Sequence, residues 1–312
     1  MLKNIIRVPT ANMDREEWLK RRKSSIGGSD ASAIIGLNQY SSPFSVWADK
    51  TGKLPDKPDN EAMRQGRDLE DYVASRFCEA TGKRVRREKA MLYNPDYPFA
   101  HADIDRWVIG ENAGLECKTT SIMNLKKFKN GEFPPTYYVQ CVHYMAVTGA
   151  DRWYLGVLVL NQGFYHFVIE RDEEEIAALM LQEEAFWKYV QEDSPPPVDG
   201  LSATTEALET VYAEAETSGI ELFGREAMLR EYRELQQQSK ELDRMLEEIK
   251  QTLMLDLGEH DTAYCGDFNV TWKPQVKRTF EAKTFLADHP YINADAYWKE
   301  SRFRRFNVKE AK

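Results

Sequence analysis

The feature that most constrains this chain is how the spacing of its apolar residues changes between positions 61 and 170. From Glu61 to about Thr81 the apolar residues Met63, Leu69, Val73 and Phe77 recur at helical spacing, and Gly82 follows as a stop. Residues 83–120 then hold three short, partly alternating runs, "KRVRREKAMLY", "FAHADIDRWVI" and "AGLECKTT", which predict three consecutive strands. "PPTYYVQCVHYMAVTG" returns to helical spacing and ends at Gly149. "DRWYLGVLVL" and "FYHFVIE", joined by Asn161-Gln162-Gly163, predict a hairpin. Helix, strands, helix and hairpin in this order specify an α/β (α+β) core rather than an all-helical or all-strand one.

The flanks read more simply. Asp14 is placed to cap a helix over "REEWLKRRK", and "SSIGGSDASAIIG" is a glycine loop with Ser29 or Asp30 capping a short helix that ends at Gly36. "SPFSVWADKTG" predicts another short helix closing at Gly52, and a longer one is expected over roughly 172–190. "DSPPPVDG" marks a linker. The expected organisation is therefore a first domain over 1–193, a linker over 194–202 and a separate unit over 203–312. In that unit Met228, Leu235, Leu242 and Ile249 repeat every seven residues, with Tyr232, Leu246 and Leu253 four after three of them and Ser239 interrupting. The pattern predicts a helical hairpin or coiled packing. "TAYCGDFNVTWKPQVKRTF" and "FRRFNVK" suggest strands of a small terminal element.

Composition excludes several classes. The 312 residues are 42% hydrophobic and 30% charged, ordinary values for a globular chain with ample core. No window approaches the roughly eighteen apolar residues of a membrane span. The first residues, "MLKNIIRVPTANMDREEW", lack the apolar stretch and small-residue cleavage site of a secretory signal. Cys78, Cys117, Cys141 and Cys265 are scattered without a C-x-x-C pair, which fits a reduced cytoplasm and four small buried side chains, not a zinc ribbon or an iron–sulfur cluster. The net charge of −9 is unevenly spread. Acid concentrates in "ERDEEEIAALMLQEEAFW" and in 206–248. Basic clusters lie at "LKRRK", "KRVRREK", "LKKFK", "KPQVKR" and "RFRR", so a basic cleft for an anion is compatible with the sum.

Within "HADIDRWVIGENAGLECKTTS", strand alternation puts Glu116 and Lys118 on one face and Cys117 on the other. Asp105, expected on the preceding strand, comes alongside once the two strands pair. Two carboxylates and a lysine at one strand edge suit a hard cation such as Mg²⁺, with the Cys117 carbonyl as a further oxygen. Water on such a cation loses its proton more readily, and Lys118 can orient it or stabilise charge developing on a phosphate. An isolated E-x-K triplet is also an ordinary surface pair, so the wider pattern has to decide.

That wider pattern is "IGGSDASAIIGLNQYSSPFSVWADKTG", "QGRDLEDYVASRF", "ADIDR…GLECKTT" and "YYVQCVHYMAVTG", occurring in this order. Together they resemble the YqaJ-type viral recombinase nucleases, the phage alkaline exonuclease family, over about residues 15–190. The resemblance implies a PD-(D/E)xK restriction-endonuclease-like core, a mixed central sheet flanked by helices, extended by the C-terminal helical and small β region. It implies that Asp105, Glu116 and Lys118 are the catalytic triad, with Gln140 as an active-site glutamine. Glu70, Asp105, Glu116 and the Cys117 carbonyl would hold Mg²⁺ or Mn²⁺, two ions per site. It places Arg22 and Ser29 where the 5′-phosphate of a DNA end is gripped, and it makes Lys126, Lys127 and Lys129 of the loop "LKKFKNGEF" DNA-backbone contacts.

The PD element here reads Ala102-Asp103-Ile104-Asp105, without proline, and alternation would put both aspartates on one face. Asp105 is preferred because it stands directly before Arg106, with Asp103 able to assist. Tyr144 reads as core packing, Asp30 as an N-cap, and His101, His143 and His166 as packing or hydrogen-bonding residues. The implied activity is a DNA exonuclease running 5′ to 3′ on linear duplex. The implied partners are DNA ends, a single-strand annealing protein of the RecT or Bet kind, and further copies of the chain, as in a trimeric ring. Phage or prophage origin and work in a bacterial cytoplasm follow from the same resemblance. An endonuclease or a RecB- or Cas4-like nuclease without an iron–sulfur cluster, and a non-catalytic DNA-binding module, are the alternatives.

Overall fold

The computed structural model describes residues 4–56, 58–216, 218–299 and 304–309, except for the side chains of 124 and 296. The Cα framework divides into a unit over 1–213 and another over 214–312.

In the first unit, β1 (Ile6–Pro9) precedes α1 (Arg15–Lys23), capped by Asp14 as expected, with the carboxylate accepting from the Glu17 N–H at 2.8 Å. β2 (Ile26–Gly27) runs directly into α2 (Gly28–Ile34), and α3 (Pro43–Lys50) follows behind a Ser42 cap. α4 (Glu61–Thr81) carries the predicted apolar face and ends at Gly82, whose φ of 71° is the left-handed conformation that glycine permits. β3 (Val85–Arg87), β4 (Ala90–Tyr93), β5 (Ala100–Ala102), β6 (Arg106–Val108) and β7 (Ala113–Thr120) come next. They are followed by α5 (Leu125–Lys129), α6 (Pro135–Thr148), β8 (Arg152–Val159), β9 (Gly163–Glu170), α7 (Glu173–Gln191) and α8 (Ser202–Val211).

Two of the three predicted central strands are each broken in two. "KRVRREKAMLY" supplies β3 to one sheet and β4 to another, and "FAHADIDRWVI" supplies β5 and β6 in the same way. The four-stranded sheet has the order β1-β4-β5-β2, and the five-stranded sheet β3-β6-β7-β8-β9. Residues 103–105 are therefore the crossing point between sheets, not the end of one continuous strand. The chain changes sheet where the aspartates stand.

β7 and β8 pair in parallel, Glu116 opposite Leu155 and Lys118 opposite Val157. A parallel pair needs a crossover connection, and α5 with α6 provides it. The two faces of β7 are covered differently. Ala113 and Leu115 pack with Ala74 and Phe77 of α4, Val108 and Tyr154. Gly114 faces the other way, and a Cβ there would stand 2.2 Å from the fully buried Trp153 ring, so only glycine fits. This second face, shared by Gly114, Glu116 and Lys118, looks toward α6, as alternation predicted.

The proline-rich segment is not where the framework divides. α8, beyond it, packs on α3 and buries Ala203, Thr204 and Ala207, so the first unit runs on to Ala213 in place of ending at 193. The apolar positions of α8 supply what the prolines alone could not reveal. In the second unit the heptad stripe lies on one long helix, α9 (Glu226–Leu257), not on a hairpin, and its Met228, Leu235, Leu242 and Ile249 are exposed. β10 (Thr262–Cys265) and β11 (Phe268–Thr271) form a two-stranded ribbon, and α10 (Ala282–Asp288) follows. Residues 273–280 and 304–309 form no strand, and Phe303 of the expected last strand lies outside the described residues. Only Cys141 of the four cysteines is buried, and Cys265 is exposed on the ribbon. Among the described residues no helix is long and apolar enough to cross a membrane.

Candidate active site

Glu116, Lys118 and Gln140 are joined side chain to side chain. Lys118 Nζ lies 2.6 Å from Glu116 Oε1 and donates to Gln140 Oε1 at 2.9 Å. The Gln140 amide nitrogen donates to Glu116 Oε1 at 2.8 Å and is 2.8 Å from the Tyr144 hydroxyl. Tyr144 in turn donates to the Asp103 carbonyl at 3.0 Å. Gln140 and Tyr144 are one turn apart on α6, so the helix presents both to the edge of β7. Tyr144 is thus more than packing, because it fixes the amide that bridges the acid and the base.

The strand break sets the aspartates apart. Asp105 Oδ2 accepts the Cys117 backbone N–H at 2.7 Å, which ties it to β7, while Asp103 Oδ2 accepts from Trp18 Nε1 at 3.2 Å. Asp105 is thus the aspartate tied to β7, and the two aspartates do not share one strand face as alternation would have it. Burial, followed by the neighbouring charges of Glu116 and Glu70, pushes the Asp105 carboxyl well above its ordinary range. Glu116 is also raised, chiefly by burial. Burial would lower Lys118, but the Glu116 charge more than offsets it and the ammonium is held charged. Carboxylates crowded in this way are stabilised by a cation.

Glu70 reaches the site from α4, on the opposite side of β7, and its carboxylate pairs with Arg106 Nη1 and lies 3.4 Å from Arg87 Nη2. Arg106 is buried, and it also donates to Asp71 at 2.5 Å and to the Asp105 carbonyl at 2.8 Å. Among the described residues no three acidic, His or Cys side chains stand close enough to enclose a metal ion as they are. The donor chemistry nevertheless fits a hard cation. Glu116 Oε2 is buried and has no hydrogen-bond partner in the protein, so it has a lone pair to offer.

A cavity of about 180 Å³ connects this cluster with the N-terminal motif. Arg22, Gly28 and Ser29 line one part of it, and Asp105, Glu116 and Gln140 another. Arg22 Nη2 donates to Ser29 Oγ at 3.0 Å, and its guanidinium lies 4.7 Å from the centre of the Trp18 ring. The i,i+4 spacing of Trp18 and Arg22 on α1 was readable in the sequence and passed over. Ser29 and Asp30 are not caps, since Gly27 occupies the cap position of α2. Asp30 lies inside the first turn, accepts the Gly27 N–H at 2.9 Å and pairs with the buried Lys50 at 2.6 Å. Gly28 is required where it stands, because a Cβ would come within 2.6 Å of the Tyr144 ring.

The lysines predicted in a loop stand on α5, which is anchored by buried Phe128 and leaves Lys126, Lys127 and Lys129 exposed. Their spacing around Phe128 is helical, a signal that the basic composition hid. His143 and His101 make hydrogen bonds inside the core, and His166 packs beside Phe77 and Phe164.

A model of the YqaJ-like viral recombinase domain matches residues 17–151. The uncharacterized protein YqaJ of Bacillus subtilis (strain 168) is 38% identical over 306 residues, spanning 96% of this chain and 96% of the relative. Among solved structures, LHK-Exo in complex with dAMP superposes with a TM-score of 0.50 at 21% identity, covering 57% of this chain and 93% of its own. A crystal structure described as the alkaline exonuclease LHK-Exo from Laribacter hongkongensis gives a TM-score of 0.49 with the same coverage and identity. At that identity the likeness to the dAMP complex is one of fold.

Proposed function

This chain belongs to the YqaJ-like viral recombinase family, and on that premise we propose that it is a Mg²⁺- or Mn²⁺-dependent DNA exonuclease. It degrades linear duplex from the 5′ end and leaves a single-strand tail for an annealing partner. The observation that carries the reading is one pocket lined by Glu116 and Gln140, which hold Lys118 between them, and by the Arg22–Ser29 pair.

Asp105, Glu116 and the Cys117 carbonyl would hold the cation, joined by Glu70 once its carboxylate leaves Arg106. When bound, such ions acidify water and neutralise charge on the phosphate. Lys118, held between Glu116 and Gln140, orients the attacking water and stabilises charge developing on the phosphate oxygens. Gln140 keeps the ammonium from swinging out, and Tyr144 keeps Gln140 in place. Arg22 and Ser29 grip the terminal phosphate, the guanidinium supplying charge and geometry together. Lys126, Lys127 and Lys129 meet the backbone of the duplex, which makes binding salt-dependent.

The test is digestion of a linear duplex and a covalently closed circle of the same sequence, with Mg²⁺ and with chelator. The reading requires loss of the linear DNA only, and only with metal. Cutting of the closed circle would make the protein an endonuclease on the same fold.

A further inference from the structure

One wall of the same pocket carries a buried polar atom that the proposed cutting chemistry does not use. His101 stands on β5 and is 1% exposed. Its Nδ1 lies 2.8 Å from Ser25 Oγ, and its backbone carbonyl accepts from His143 Nε2 at 2.8 Å. His143 is tied in turn to Glu183 at 2.8 Å, so the ring of His101 is held from behind by a rigid hydrogen-bonded frame. Its Nε2 is buried and has no partner in the protein. Buried ring nitrogens are normally paired, so an unpartnered one in a residue that lines the pocket calls for a ligand.

Position says which end of the pocket it serves. A Cβ on Gly27 would stand 3.1 Å from both Cε1 and Nε2 of His101, so the nitrogen sits beside Gly27, two residues from Ser29. Burial, and then the Lys50 charge, hold His101 down to about 3, so the ring is neutral at physiological pH. In the tautomer in which the Ser25 hydroxyl donates to Nδ1, the single ring proton resides on Nε2, and this is the form the proposal uses. Ser29 Oγ already accepts from Arg22, which leaves its own proton for another acceptor. Arg22, Ser29 and His101 thus bring three donors to a pocket that the Asp103, Asp105 and Glu116 carboxylates also line, and a tetrahedral oxyanion can accept from all three.

We propose that His101 Nε2 is a third donor to the 5′-terminal phosphate of the DNA and sets the preference for phosphorylated over hydroxyl ends. The inference rests on the reading of Arg22 and Ser29 as an end-phosphate cradle. It adds a specificity-determining residue that no recognised motif marks.

The experiment compares kcat/KM on linear duplexes with 5′-phosphate and 5′-hydroxyl ends for wild type, His101→Phe and His101→Gln. Wild type favours the phosphate. His101→Phe loses about tenfold of that preference, the size of one hydrogen bond to a charged group, while its rate on hydroxyl ends changes little. His101→Gln, which keeps a donor near Nε2, recovers part of the preference. Since the ring is buried, a second measurement uses wild type alone: ¹⁵N-histidine spectra in chelator with short duplexes carrying either end. The Nε2 resonance of His101 moves with the phosphorylated end only. A His101→Phe variant that keeps the preference, or slows equally on both ends, overturns the inference, as does an Nε2 resonance that ignores the phosphate. A wild type indifferent to the phosphate would instead remove the cradle reading itself, and the inference with it.

Discussion

Replacing Gly28 by alanine sets two physical effects against each other. By conformational entropy alone, Gly→Ala in a helix stabilises by roughly 0.5–1 kcal/mol. The structure predicts the opposite sign. The new Cβ would lie 2.6 Å from Tyr144 Cε1, 3.0 Å from Cζ and 3.1 Å from Gln140 Cγ. The first of these is about 1 Å inside an ordinary carbon contact. Tyr144 has no free direction of retreat, because it is 4% exposed, hydrogen-bonded to Gln140 and to the Asp103 carbonyl, and packed on Trp153. Overpacking of this kind costs about 1–3 kcal/mol, and a strained Gln140–Tyr144 bond about 1 more. Gln140 carries the displacement to Lys118 and Glu116, and a shift near 1 Å at reacting groups lowers rate by about 100-fold. Urea unfolding and digestion of linear duplex measure the two consequences separately. A Gly28→Ala protein that is as stable and as fast as wild type would refute the close-contact account of the α2–α6 junction.

Two further outcomes follow from the same geometry. Burial would raise Asp30, but Lys50, Arg22 and the Gly27 N–H more than offset it and hold the carboxyl down to about 2 against an ordinary 3.8. A carboxyl lowered in the fold contributes stability that is complete above the unfolded value and is lost as pH falls toward 2, here about 2 kcal/mol. Urea midpoints between pH 5 and 2 should fall less for Asp30→Asn than for wild type by that amount, and parallel curves would contradict the Lys50 pairing. Burial also pushes the Cys141 thiol well up, whereas Cys265 is exposed. A disulfide reagent should label Cys265 first and Cys141 only on unfolding, and equal rates would show that α6 is not packed as described.

What the sequence made legible was mostly local. Asp14, Gly82 and Gly149 act as the caps and stops they resemble, since capping chemistry depends on a few neighbouring residues. The shared face of Glu116 and Lys118 followed from strand period alone. The crossing at residues 103–105 was hidden, because a strand that changes sheet and a strand that continues have the same alternation. That α8 joins the first unit was hidden for a similar reason, as three prolines signal a break in regular structure but not which side the next helix joins. The contacts of Arg106, Tyr144 and His101 are not legible in the sequence because their partners are distant in it. The reason for glycine at position 28 is visible only in the fold, where the Tyr144 ring stands against it.

The most direct test of the central claim is digestion of linear duplex by purified Lys118→Ala beside wild type, with Mg²⁺ and with matched unfolding curves. Lys118 bridges Glu116 and Gln140 at the pocket. The account predicts metal-dependent degradation by wild type and none above background by the variant, with the fold intact. A well-folded Lys118→Ala protein that degrades DNA at the wild-type rate would contradict it.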